Sequence, residues 1–124
     1  MIIAIDFDGT VVTHDYPLIG VDIGAIPVLK DLQKEGHALI LYTMRSREPL
    51  LEAVKYLEDR GIKLYGVNYN PQQASWTESI KVYAHLYIDD AALGIPLVRG
   101  PHRRPFVNWT AVRKLLVEQG VLSL

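Results

Sequence analysis

Short apolar runs in this chain repeatedly stop at a side chain capable of chemistry. Asp6 and Asp8 close the run that begins at Ile2, Thr43 closes His37 to Tyr42, and Asp89 and Asp90 follow His85 to Ile88. Asp6, Asp8, Asp89 and Asp90 therefore gather on one rim if these runs are neighbouring strands, and carboxylates crowded together repel unless a cation offsets them. The chain has 0 cysteines, which removes a thiol nucleophile, a disulfide scaffold and any thiolate-held metal. Oxygen-only ligation with some water retained is the preference of Mg²⁺.

The elements that must position these residues are read from the apolar pattern. Ile2 to Phe7 is β-branched-rich and ends at Asp8-Gly9-Thr10, a strand entering a tight loop. Pro27 suits the first turn of a helix with Val28, Leu29 and Leu32 at helical spacing and Gly36 as its stop. A strand at His37 to Thr43 and a helix at Glu48 to Arg60, with Leu50, Leu51, Val54 and Leu57 on one face and Gly61 as its stop, come next. Ile62 to Val67 and His85 to Ile88 are the third and fourth strands, separated by a polar loop, and Pro96 to Val98 is a possible fifth. Asn108 caps a last helix carrying Val112, Leu115 and Leu116 and closed by Gly120. Strand and helix alternating in units of about 30 residues predict an α/β fold: right-handed crossovers and a mainly parallel sheet covered on both faces, three layers in a Rossmann-like arrangement. Ligands of such sheets bind at the carboxyl ends of the strands, where the acids stand.

Asp6-Phe7-Asp8-Gly9-Thr10 after an apolar strand, Thr43 after Leu39-Ile40-Leu41-Tyr42, Lys81, and Asp89-Asp90 after Leu86-Tyr87-Ile88 resemble, in order, the four motifs of the haloacid dehalogenase (HAD) superfamily of phosphohydrolases. The likeness runs from residue 1 to about residue 90, and its first motif is the specific one. It implies a Mg²⁺-dependent phosphatase in which Asp6 attacks phosphorus to form an aspartyl-phosphate. Asp8 would be the general acid and base. Thr43 and Lys81 would bind phosphate oxygens, Gly9 would permit the turn of the phosphate-binding loop, and Thr10 would brace it. Asp6, Asp8 through its backbone carbonyl, Asp89 and Asp90 would hold the metal. Members that cleave carbon–halogen bonds or pump ions lack an acid at the second position, so Asp8 favours a phosphatase or phosphotransferase. Val11 to Asp22 and Gly66 to Ile80 are too short for an inserted domain, so a capless member with an open site is expected.

Arg45 and Arg47 follow the second motif and are read either as contacts to phosphate or a second anionic group, or as a solvated helix start. His14, Asp15 and Tyr16 lie in the expected flap, and Tyr69 and Trp76 either stack on a substrate ring or pack on their own domain. Pro101 to Pro105, with His102, Arg103 and Arg104, reads as a solvated basic turn. His37 and His85 begin separate strands and do not read as paired metal ligands.

The 124 residues make one domain, 1–124, and 13 Lys plus Arg against 14 Asp plus Glu leave a net charge of −1, which offers no footprint for nucleic acid or an anionic membrane. Met1 to Ile5 has no basic leader and meets Asp6 at once, so neither a signal peptide nor a membrane span is expected, and the cytoplasm is the default address. The expected partner is a phosphomonoester, small or macromolecular, and a homo-oligomer closing over the flap is compatible with an open site. Two other readings use similar residues. A signalling receiver domain places adjacent acids after strand one and its acceptor Asp after strand three, whereas strand three here ends Gly66-Val67-Asn68. A catalytically silent relative that only binds a phosphorylated ligand would keep the same side chains.

Overall fold

A computed structural model describes residues 1–101 and 103–124. Strand β1 (Ile2–Ile5) is followed by helix α1 (Ala25–Lys34), β2 (Ala38–Leu41), α2 (Arg47–Asp59), β3 (Leu64–Val67), β4 (Leu86–Ile88), β5 (Leu97–Gly100), β6 (Arg103–Val107) and α3 (Trp109–Glu118). Four strands form one sheet in the order β3-β2-β1-β4. All of its pairings are parallel, with Ile5 level with Leu41 on one side and Ile88 on the other. Strand order thus places the ends carrying Asp6 and Asp89 side by side, on the inner strand β1 and the edge strand β4.

The handedness of crossover connections decides which face each segment covers. From β1 to β2 to β3 the chain steps in one direction, so α1 and α2 fall on the same face. From β3 it returns past β2 and β1 to β4, which sends that connection across the other face. The packing follows this division. Ile3, Ile5, Leu39 and Leu41 share a core with Val28, Leu29 and Leu32 of α1, Ala53, Tyr56 and Leu57 of α2, and Val112 and Leu116 of α3. Each helix ends at a glycine foreseen as its stop: the amides after Gly36, Gly61 and Gly120 return to the Leu32, Leu57 and Leu116 carbonyls at 3.1, 3.0 and 2.8 Å. Asn108 caps α3 by accepting from the Ala111 amide at 3.1 Å.

The second face differs from the helical layer anticipated there. Ala4 and Ile40 are buried on it, yet the segment crossing it between β3 and β4 contains a single 3-10 turn, Gln73–Ser75. Val82 and Ala84 of that segment are buried, and the Tyr87 hydroxyl, level with Ala4, donates to the Val82 carbonyl at 2.6 Å. Without a helix to pair its backbone groups, this stretch needs side chains to do so. The Gln73 amide donates to the Ser79 and Lys81 carbonyls at 2.9 and 2.7 Å and accepts from the Tyr83 amide at 2.8 Å. Asn70 donates to the Tyr83 carbonyl at 3.0 Å.

Strands stop earlier than the apolar runs suggest, leaving Asp6, Phe7, Tyr42 and Thr43 in the loops beyond. The stretch expected to add a fifth strand instead pairs β5 with β6 in a separate antiparallel ribbon, Leu97 opposite Val107 and Gly100 opposite Arg103. Arg103, Arg104 and Pro105, read as a basic turn, therefore belong to a strand, and Pro105 is tolerated because a two-stranded ribbon has two open edges. His102 lies outside the described residues. Among the described residues, no helix is long and apolar enough to cross a membrane.

Gln73→Ala would leave three backbone groups of the 73–83 segment without partners. We expect a loss of about 2 kcal/mol or more in unfolding free energy by urea titration, and an unchanged midpoint would contradict the bracing role assigned to Gln73.

Candidate functional site

The site is built on the loop that follows β1. The Asp6 amide continues the ladder by donating to the Ile88 carbonyl at 3.0 Å, and the chain then turns tightly, with the Val11 amide returning to the Phe7 carbonyl at 2.8 Å. Gly9 takes a φ of +79° at this turn. A β-carbon there would collide with the His14 ring and come within 2.6 Å of Asp90 Oδ2, so both conformation and space demand glycine. The loop is also held from outside. Thr10 is fully buried, its carbonyl accepts from the Trp109 indole at 2.6 Å, and the Gly9 carbonyl accepts from the Val107 amide at 2.9 Å.

Asp6, Asp89 and Asp90 converge, each offering an oxygen within 4.8 Å of the others. The Thr10 hydroxyl joins the two strand ends, donating to Asp6 Oδ2 at 2.8 Å and accepting from the Asp90 amide at 3.0 Å. Asp89 accepts from the Ala91 amide at 2.8 Å, and Asp90 Oδ2 lies 3.0 Å from His14 Nε2. Burial, then the charge of Asp89, pushes the Asp6 pKa up to about 8, against the Thr10 hydrogen bond that favours ionisation. Burial and the neighbouring Asp90 also raise Asp89. Asp6 and Asp89, both held toward their protonated forms, form with Asp90 an all-oxygen donor set that could hold a hard divalent cation, since a bound cation would offset the charge that the surroundings of Asp6 and Asp89 disfavour. His14, reaching Asp90 from the flap, would orient that acid from behind.

Asp8 is placed otherwise. Its carboxylate lies outside the cluster and is gripped by Arg45, with Nε to Oδ2 and Nη2 to Oδ1 both at 2.8 Å. The guanidinium is buried, 2% exposed, and donates its remaining protons to the carbonyls of Leu18, Pro17 and Pro49 at 2.7, 3.2 and 3.1 Å. All five N–H donors of Arg45 thus have acceptors within the protein. This replaces the expectation that Arg45 binds phosphate: it clamps Asp8 to the flap and to the start of α2. The Asp8 side chain stands apart from the oxygens that could hold a metal ion, and the metal contact expected of Asp8 is through its backbone carbonyl. Arg47 is exposed at the first position of α2.

Thr43 stands on the rim beside the loop, its hydroxyl oxygen accepting from the Arg45 amide at 3.1 Å and its own amide donating to Asn68 at 2.8 Å. Lys81 is exposed, with Nζ 5.6 Å from the centre of the Tyr87 ring, and among the described residues it forms no ion pair with Asp6, Asp89 or Asp90. Trp76 packs edge-on to Tyr83 at 5.4 Å although still largely exposed, and Tyr69 is exposed. His37 and His85 serve the backbone: His37 Nε2 donates to the Val121 carbonyl at 2.8 Å and His85 Nδ1 accepts from the Ile2 amide at 2.8 Å. The functional contact that the sequence did not assign is that of His14, which meets an acid 76 residues away and so leaves no local spacing signal.

Fold and site together define an α/β protein with a four-stranded parallel sheet and an acidic cluster able to hold a metal ion at its carboxyl edge. Among solved structures, a conserved protein coded by a locus of Bacteroides thetaiotaomicron is similar at 38% identity, over 96% of this chain and 91% of that one, with a TM-score of 0.79. At that identity and coverage this chain belongs to the same family as the Bacteroides protein. No protein-family profile and no curated protein matches the chain.

Because Asp6 holds its proton more tightly folded than unfolded, the folded state binds more protons between pH 3.8 and about 8, and stability falls as pH rises through that window. Thermal melts in chelator should therefore show Tm falling from pH 5 to pH 8, by about 4 °C for each kcal/mol lost. Added Mg²⁺ should raise Tm more at pH 8 than at pH 5, and Asp6→Asn should flatten both trends. A cation effect independent of pH and of Asp6 would contradict this site. Arg45→Gln, which leaves Asp8 without its partner, should cost about 3 kcal/mol or more by denaturant titration; a neutral result would contradict the clamp.

Proposed function

We propose that the chain is a Mg²⁺-dependent phosphomonoester hydrolase of the HAD type, capless and cytosolic, acting through an aspartyl-phosphate on Asp6. The observation that carries this reading is the convergence of Asp6, Asp89 and Asp90 within 4.8 Å at the carboxyl edge of a parallel sheet, beside a loop whose Gly9 and Thr10 fix the nucleophile's position.

In the first displacement an Asp6 carboxylate oxygen forms a bond to phosphorus as the bond from phosphorus to the ester oxygen breaks, and the departing alkoxide takes up a proton. In the second, water attacks phosphorus, the bond from phosphorus to Asp6 breaks, and a proton leaves the attacking water. Asp6, Asp89 and Asp90 would hold Mg²⁺, which supplies charge neutralisation for the phosphoryl group. Because so little covalent work falls to the protein in phosphoryl transfer, the rigid placement of Asp6 by the Ile88 and Thr10 hydrogen bonds is its main contribution. Thr43 keeps a hydroxyl proton to donate to a phosphoryl oxygen, since its recorded contact uses the oxygen as acceptor. Lys81 is free of a carboxylate partner among the described residues and carries its ammonium on a flexible stem, so it is the candidate for neutralising phosphoryl charge.

Asp8 is the candidate acid and base. Both of its oxygens accept from Arg45, which leaves each a further lone pair at which a proton could be carried. The three carbonyl contacts hold the guanidinium, and with it Asp8, in place. That engaged state is also the observation favouring a second reading, a relative that binds a phosphorylated ligand without turning it over.

Phosphate release from an aryl phosphate and from a panel of natural phosphomonoesters separates the two. The hydrolase reading expects release that requires Mg²⁺, falls by about 10³-fold or more in Asp6→Asn and falls less in Lys81→Ala. Folded protein that binds phosphate in the presence of Mg²⁺ but releases none from any ester would establish the binding module instead.

A further inference from the structure

A pocket of about 370 Å³ lies between the flap and the β5–β6 ribbon, walled by Thr13, His14, Asp15, Arg103, Arg104 and Phe106. It shares a wall with the acidic cluster, because the same His14 ring contacts Asp90 at 3.0 Å. The ribbon bearing the arginines is fastened to the cluster's own loop by the Val107 to Gly9 hydrogen bond at 2.9 Å. The flap side is equally set: the Thr13 amide donates to the Val21 carbonyl at 3.0 Å, and the Thr13 hydroxyl occupies Asp15 with a 2.7 Å hydrogen bond. Arg103 lies 5.8 Å from the Phe106 ring, and neither Arg103 nor Arg104 forms an ion pair among the described residues. Arg103 and Arg104, without carboxylate partners among the described residues, thus line with half-buried Phe106 a pocket whose one acid, Asp15, is engaged by Thr13, next to a cluster of three aspartates. Arginine's fork matches the oxygens of a phosphate and binds it by charge-assisted hydrogen bonds.

Resting on the phosphomonoester reading above, we propose that this pocket receives a second phosphate of the substrate, so that the preferred substrate class is a phosphomonoester bearing another phosphate group. The reacting phosphoryl group stands at Asp6, the remote phosphate meets Arg103 and Arg104, and the ring or chain joining them lies along Phe106. Binding energy from the remote phosphate holds the reacting group in place. Without a cap domain, such an anchor supplies the positioning that a lid would otherwise give.

The test uses matched pairs: a nucleoside 3′,5′-bisphosphate against its 5′-monophosphate, and a hexose 1,6-bisphosphate against its 6-phosphate. In at least one pair the second phosphate should raise kcat/KM about tenfold or more, chiefly through KM. The double variant Arg103→Gln/Arg104→Gln should lose that advantage while treating the monophosphates as before, and both side chains are exposed, so folding is not at stake. Equal kcat/KM within both pairs, or an advantage that survives in the double variant, would overturn the proposal. Calorimetric binding of the same pairs to Asp6→Asn protein with Mg²⁺ reads the pocket separately from turnover. Tighter bisphosphate binding that needs the arginines supports the pocket even if hydrolysis fails, and equal binding refutes it even if hydrolysis succeeds.

Discussion

Everything around the site answers one constraint, the mutual repulsion of carboxylates held together in a partly buried place. Asp6 and Asp89 end neighbouring parallel strands, so the sheet register itself forces them together. Asp90 is then drawn in by Thr10 and His14. Left alone, such a cluster would splay apart or hold protons, and burial first, with the neighbouring carboxylates adding to it, raises the pKa of Asp6 and of Asp89. The scaffold resists splaying through contacts from distant elements: the Trp109 indole on Thr10, the Val107 amide on Gly9, and the loop's own return to Phe7. A cation would relieve the repulsion that the fold enforces, and for that reason the cluster could hold a metal ion.

A second charged unit stands beside the first and is solved in the opposite way. Asp8 is neutralised by the protein itself, through an arginine so buried that each of its five donors must find an acceptor inside. Two aspartates separated by one residue thus meet different environments, one poor in positive charge and one saturated with it. The Arg45 carbonyl contacts to Pro17 and Leu18 also make the flap part of this unit, so the position of Asp8 and the position of the flap are mechanically linked.

The elements carrying the site were largely legible in the sequence because they rest on local signals: β-branched runs ending in acids, Pro27 in a first turn, glycines after helices, and Asn108 as a cap. The acids could be grouped because a parallel sheet puts strand ends on one rim. What escaped depended on contacts between residues far apart in the chain. The segment covering the second face carries no helical period, since Asn70 and Gln73 do by side-chain hydrogen bonds what a helix would do by backbone ones. The β6 strand was hidden by Pro105 and two arginines, which look like a turn until Leu97 is seen opposite Val107. Arg45 was misread for the same reason: adjacency to Thr43 suggests a ligand for phosphate, and only the three-dimensional path of residues 8, 17, 18 and 49 shows its donors already used.

The most direct test is a crystal structure of the protein grown with Mg²⁺ and trifluoroberyllate, a mimic of a phosphoryl group on a carboxylate. The account predicts beryllium bonded to an Asp6 carboxylate oxygen, with Mg²⁺ alongside in contact with Asp6 and with Asp89 or Asp90. Beryllofluoride on Asp8, or Mg²⁺ bound away from the Asp6, Asp89 and Asp90 oxygens, would contradict it.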